Sequence, residues 1–226
     1  MRTSTMSRVT AALAASLVLL AGAAGSAEAA KGGNGGGGKG GGKPSSTTTT
    51  LTGPAAIQAA HDATCRVVVE YTSCASLTVK IADFGNTGWA AQSSPATGTV
   101  TYNSYYKTAT QADWSHVVAH EVGGHVDTWN EIVAKVGVTQ AWTDYYDVDR
   151  FAQGWATTSW GTLSTGARSF STSDAKEAFL DCVGPVAHGY RGNYLYTWGL
   201  TTSTQQKRFC TGVDTVLSAA LTSSPS

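Results

Sequence analysis

Between His116 and Trp129 the chain sets two histidines around a glutamate and a pair of glycines: His120-Glu121-Val122-Gly123-Gly124-His125. Two imidazoles can share a divalent metal ion, and a carboxylate beside them can take a proton from a metal-bound water. Spacing decides whether they act together. On a regular α-helix each residue turns by about 100°, so residues four apart differ by roughly 40° and residues five apart by about 140°. His120 and His125 are five apart. On a regular helix they would not both reach one zinc ion, whose Zn–N bonds are about 2.0–2.1 Å. A single π-type turn of roughly 4.4 residues returns them to one face. Gly123 and Gly124 suit such a turn, because glycine adds no Cβ clash. In an ordinary helix they would each cost on the order of 1 kcal/mol relative to alanine, so their pairing here favours the wide turn.

Two histidines leave a catalytic zinc one protein ligand short. Glu177 and Asp181 are four apart and share a face of a predicted helix, which on its own also describes an exposed carboxylate pair. Asp144, Asp147 and Asp149 form a second acidic group, readable as a surface or calcium loop. His116 lies four before His120 and could chelate with it without a wide turn, but Val117 follows it, so that pair lacks an adjacent base. His61 and His188 are single histidines, and Tyr190 follows His188 in a glycine-punctuated aromatic stretch.

The run H-E-V-G-G-H resembles the H-E-x-x-H signature of the zincin metallopeptidases, lengthened by one residue. It is similar to the H-E-x-x-G-H form of the dipeptidyl peptidase III family, including the last glycine, over six residues only. Glu177-Ala-Phe-Leu-Asp181 looks like the E-x-x-x-D element of the thermolysin-type zincins, the gluzincins. The resemblance implies that His120, His125 and Glu177 hold one zinc ion, that Asp181 orients a ligand histidine, and that Glu121 is the general base. Glu131, six residues after His125, stands where metzincins place their third ligand. The intervening Val126-Asp127-Thr128-Trp129-Asn130 has no glycine to end the helix, and a continuing helix carries Glu131 away. Zincins often use a His or Tyr after the glutamate helix to bind the oxyanion, which points to His188 and Tyr190 as assisting catalytic residues. They also place an edge strand ahead of the active-site helix, which would be Gly98–Tyr102 here.

These groups need elements to hold them. Pro54–Ala63 reads as a first helix. Arg66–Tyr71, Leu77–Ile81 and Gly98–Tyr102 read as strands of a small antiparallel sheet, with turns from Gly85 to Gly98. Thr110 with Asp113 forms a capping box that opens a long helix to Lys135, with Gly137 as its stop. Val138–Ala156 reads as helical and packed. Ser173 caps a helix over Asp174–Val183, stopped by Gly184-Pro185. His188–Leu200 reads as a loop, and Thr202 with Gln205 starts a final helix along Phe209, Val213, Val216, Leu217 and Ala220. Strands first and helices after argue an α+β fold, in keeping with the zincin resemblance.

The rest of the chain bounds the setting. Arg2 and Arg8, the apolar Val9–Ala24 and Ala27-Glu28-Ala29 read as a signal peptide over residues 1–29, cut before Ala30, rather than a membrane anchor. Residues 30–50 are rich in Gly and Thr and form a flexible linker, with lysines that suit cell-wall contact. Residues 51–226 form the domain. After Thr50 there are ten basic and fourteen acidic residues, and no basic cluster interleaved with aromatics, so nucleic acid is not an expected partner. Export makes disulfides the default for the four cysteines, and nearness in sequence favours Cys65 with Cys74 and Cys182 with Cys210. The expectation is a secreted, extracellular, monomeric zinc metallopeptidase acting on peptides or proteins, with no membrane span after signal cleavage. The alternatives are an inactive secreted binding module of the same fold, for cell wall or a protein partner, and an amidase acting on peptidoglycan peptides.

Overall fold

The computed structural model describes residues 50–163 and 170–223. The expected signal peptide and almost all of the expected linker lie outside the described residues. No helix among the described residues is long and apolar enough to cross a membrane.

The first helix, α1, runs Gly53–Val68 and buries Ile57, Ala60, His61, Thr64, Cys65 and Val68 along one face. The expected strand Arg66–Tyr71 is therefore not formed. Its first residues continue the helical stripe of α1, and burial of that face overrides the β-propensity of the valines. The disulfide Cys65–Cys74 joins the last turn of α1 to a short 3₁₀ turn at Cys74–Ser76. It staples a helix to the approach of the sheet.

Three strands follow: β1 (Thr78–Ala82), β2 (Ala91–Ser94) and β3 (Thr99–Asn103). Their spatial order is β1-β3-β2. β1 pairs parallel to β3, with Thr78 opposite Thr99, and β2 pairs antiparallel to β3, with Ala91 opposite Tyr102. The sheet is thus mixed, not antiparallel. β2 falls inside the region read as turns, because Ala-Gln-Ser-Ser has neither alternation nor β-branching to announce it. A 3₁₀ turn at Pro95–Thr97 and a left-handed Gly98 (φ 59°) fold it onto β3.

Helix α2 (Gln111–Val118) starts at the expected capping box. The Thr110 hydroxyl accepts from Asp113 N–H, and the Asp113 carboxylate accepts from Thr110 N–H at 2.8 Å. The helix runs on through a wide-turn segment, Ala119–Val126, into α3 (Asp127–Gly161). The backbone leaves helical angles at Gly137 (φ 78°, ψ 161°), the expected stop, before the second half of α3 resumes.

Helix α4 (Ala175–Asp181) has no side-chain cap from Ser173. It also does not stop at Gly184-Pro185. A second wide turn, Cys182–Val186, carries the chain past Pro185, with Ala187 N–H donating to Cys182 O at 3.1 Å. The expected loop His188–Leu200 contains α5 (Asn193–Thr197). The final helix is two: α6 (Ser203–Phe209), opened by the Thr202–Gln205 capping box, and α7 (Asp214–Thr222), separated at Gly212 (φ 74°). Cys182–Cys210 ties the turn after α4 to the end of α6.

The fold is α+β and mostly helical. Two apolar clusters fill it. One gathers Ile57, Val100, Tyr102, Trp114 and Val117 from α1, the sheet and α2. The other gathers Trp129, Ile132, Phe179, Leu180, Leu195 and Phe209 from the later helices. The H-E-V-G-G-H segment crosses the seam between them.

Candidate metal centre

The wide turn does what the five-residue spacing requires. His120 and His125 share a face, with ring centroids 5.1 Å apart. Glu177, from α4, meets both: its Oε2 lies 3.1 Å from His120 Nε2 and 3.4 Å from His125 Nε2. Three potential ligand atoms, one from each residue, all lie within 4.8 Å of one another. Two donors about 2.0–2.1 Å from one tetrahedral ion lie about 3.3 Å apart, so the two Glu177 separations bracket the edge of a zinc-sized tetrahedron. Two imidazoles and a carboxylate are also a donor set that suits zinc.

The glycines lie within the expected wide turn, and they also serve close packing. Neither Gly123 nor Gly124 has a positive φ, so their backbone angles do not by themselves demand glycine. Close approach does. A methyl group on Gly123 would sit 2.9 Å from Val68 Cβ of α1, and one on Gly124 3.0 Å from Leu180 O of α4. Across the same contact, a methyl on Gly184 would lie 2.5 Å from Ala119 O and 2.6 Å from Gly124 N. The two wide turns therefore meet backbone to backbone, and this sets α4 close enough for Glu177 to reach the histidines.

Each histidine has a partner on its far nitrogen. His120 Nδ1–H donates to Asp181 Oδ1 at 2.8 Å, and Asp181 Oδ2 accepts from Leu195 N–H at 3.1 Å. His125 Nδ1 lies 2.8 Å from the Tyr145 hydroxyl. Tyr194 stacks on the His120 ring, with centroids 5.5 Å apart and planes 27° apart. Burial alone would lower the His120 pKa, but the hydrogen bonds to Asp181 and Glu177 outweigh it and hold the ring well above the usual imidazole range. Burial alone would raise Glu177, but the charge of His125 and bonds to both histidines hold its carboxyl well below the usual range. The cluster thus favours positive charge between the three side chains. Burial, with the Glu177 and Glu121 carboxylates, pushes the Tyr145 and Tyr194 phenols up and keeps them neutral.

Glu121 is completely buried. Its Oε2 accepts from Ser93 Oγ–H at 2.5 Å, and its Oε1 has no protein hydrogen-bond partner. A buried carboxylate oxygen without a donor is costly, and it marks a place where a polar ligand or water belongs. Ser93 lies on β2, so the strand beside the helix is β2, at the sheet edge. The expected edge strand, around Gly98–Tyr102, is the central β3 instead.

Other sequence candidates lie elsewhere. His188 is exposed, its Nδ1 faces Gly184 O at 2.8 Å, and it lines a hollow with Val68, Gly123 and Asp127 that contains none of the three candidate ligands. Tyr190 packs edge-on to His116, with centroids 6.3 Å apart. Neither has a described contact with His120, His125 or Glu177. His116 Nδ1 accepts from Arg191 N–H at 3.1 Å and does not join His120. Glu131 pairs with Lys135 one turn along the helix, as a continuing helix requires. Asp144, Asp147 and Asp149 sit on the unbroken second half of α3, so they make no calcium loop. His61 Nδ1 meets the Tyr102 hydroxyl at 2.9 Å.

Sequence reasoning missed Ser93, Tyr145 and Tyr194. Tyr145 and Tyr194 stood only among packed or loop aromatics, and Ser93 among turn residues, with no spacing to the motif that would single them out. Neither a scan against protein-family models nor searches of curated proteins and solved structures found a match to this chain.

Proposed function

We propose that this chain is a secreted zinc metallopeptidase of gluzincin-like chemistry. The observation that carries the reading is the convergence of His120, His125 and Glu177, with separations of 3.1 and 3.4 Å that suit a tetrahedral ion. The two disulfides and the signal-like leader support export. Zinc, when bound, supplies a Lewis acid that lowers the pKa of a coordinated water to about 7 and polarises a scissile carbonyl.

The chain's own groups handle the proton and the substrate. Glu121 Oε1 is free to take a proton from the attacking water and to pass it to the leaving amine, while Ser93 holds Oε2. Asp181 fixes the tautomer of His120, so that Nε2 presents its lone pair. Among the described residues the outer edge of β2 pairs with no strand, and it adjoins Glu121 through Ser93. An extended peptide hydrogen-bonding to that edge would bring its carbonyl towards the centre.

Burial favours a second reading. His120 and His125 are 1% and 3% exposed and Glu121 is fully enclosed, as in a closed structural metal site of a binding module. Glu177, with 16% of its side chain exposed, is the most open member of the cluster. The two readings separate on one experiment. The purified protein should carry stoichiometric zinc and hydrolyse casein or a peptide library, and Glu121→Gln should keep the zinc and lose about 10²–10⁴-fold in kcat. Zinc with no hydrolysis of any peptide selects the binding module. Metal-free protein indifferent to chelators overturns both.

A further inference from the structure

His120 has a carboxylate behind it. Behind His125 stands the hydroxyl of Tyr145, from the second half of α3. We infer that Tyr145 is the positioning residue of His125, fixing which of its nitrogens faces the metal; this rests on the metal-centre reading above. The geometry is specific. Tyr145 Oη lies 2.8 Å from Nδ1, while Nε2 of the same ring faces Glu177 Oε2 at 3.4 Å. With Nε2 committed to a cation, the ring hydrogen resides on Nδ1 and donates to Tyr145 Oη.

The phenol is itself held firmly. Trp129 packs edge-on against its ring with centroids 5.6 Å apart, and Tyr146 stands 6.5 Å away. The Lys176 ammonium sits 3.8 Å from the Tyr145 ring centroid, a close cation–π contact for a buried lysine. Lys176 directly precedes Glu177 on α4. One helix thus supplies the third ligand and, from the neighbouring residue, the support for the side chain that aims the second. A side chain locked in this way can fix a ligand within the narrow tolerance that metal binding demands.

The test compares wild-type protein with Tyr145→Phe, reading zinc affinity by competition with a chromophoric chelator. It also follows the imidazole N–H resonances of the zinc-loaded, ¹⁵N-labelled proteins. The expected result is a loss of roughly 10–100-fold in zinc affinity. The His125 Nδ1–H, protected from exchange in wild type, should become unprotected in the variant, while the His120 Nδ1–H stays protected. Unchanged affinity with an unchanged His125 resonance overturns the role of Tyr145 and leaves the metal centre standing. Wild-type protein that binds no zinc overturns both. If Tyr145→Phe does not fold, the wild-type spectrum decides: a freely exchanging His125 Nδ1–H, or a proton on Nε2, overturns the assignment.

Discussion

Gly184→Ala tests whether backbone contact between the two wide turns builds the site. The added methyl would lie 2.5 Å from Ala119 O and 2.6 Å from Gly124 N, against 3.4–4 Å for ordinary contact. Both neighbours are backbone atoms, so no side chain can rotate away. The turn after α4 must retreat by roughly 1 Å, at an overpacking cost of about 1–3 kcal/mol. For a domain of this size that cost lowers Tm by about 2–4 °C per kcal/mol. The larger effect falls on the proposed metal site. Glu177 lies two turns before Gly184, and metal ligands tolerate displacement of only about 0.2 Å. Zinc affinity should therefore drop by at least about 100-fold, more than removal of an outer hydrogen bond achieves. Calorimetry of the metal-free protein and chelator competition measure the two effects separately. Gly154→Ala is the control, since a methyl there meets nothing within 4 Å, and it should leave zinc affinity unchanged and stability equal or up to about 1 kcal/mol higher. A Gly184→Ala protein that folds and binds zinc as tightly as wild type would refute the glycine contact as the device that places Glu177.

Two further outcomes follow from the same geometry. Burial and the nearby Arg191 charge lower His116 to about 4, below its usual 6.5, and its neutral Nδ1 accepts a backbone hydrogen bond. Unfolding therefore takes up a proton between those values, so this contribution is complete above pH 6.5 and is lost as pH falls towards 4. In urea titrations of the metal-free protein, stability should fall between pH 7 and pH 4.5 by about 2–3 kcal/mol more in wild type than in His116→Gln, and a difference independent of pH would contradict it. Ser93→Ala removes the donor on Glu121 Oε2 and should lower kcat by about 10-fold with zinc affinity unchanged, since bonds to charged groups contribute about 1.5–3 kcal/mol; a parallel loss of zinc would assign Ser93 to packing instead.

What could be read from the sequence was local. The Thr110–Asp113 cap, the Gly137 stop, the wide turn at His120–His125 and the Glu177/Asp181 face each depend on residues within one or two helical turns. The two disulfides joined the cysteines nearest in sequence. What escaped depends on contacts between distant segments. Arg66–Val68 follow the burial of α1 and not their β-branching, and Ala91–Ser94 become a strand only because β3 offers an edge. Pro185 is tolerated because a wide turn passes it. Tyr145 meets a histidine 20 residues away, Ser93 a glutamate 28 away, and Tyr194 a ring more than 70 positions earlier, and no periodicity encodes such distances. The packing purpose of Gly123 and Gly124 was hidden for the same reason: the atoms they make room for belong to α1 and α4.

The wide turn also has a consequence for how the helix tolerates length. An extra residue in a regular helix would rotate everything beyond it by about 100° and turn the downstream apolar stripe out of the core. Here the surplus is absorbed within Ala119–Val126, and Trp129 and Ile132 beyond it remain buried. The seam between the two apolar clusters thus accepts an odd-numbered spacing without passing the phase error to either side. A six-residue version of a five-residue chemical pattern can reside in a helix whose outer turns keep their packing.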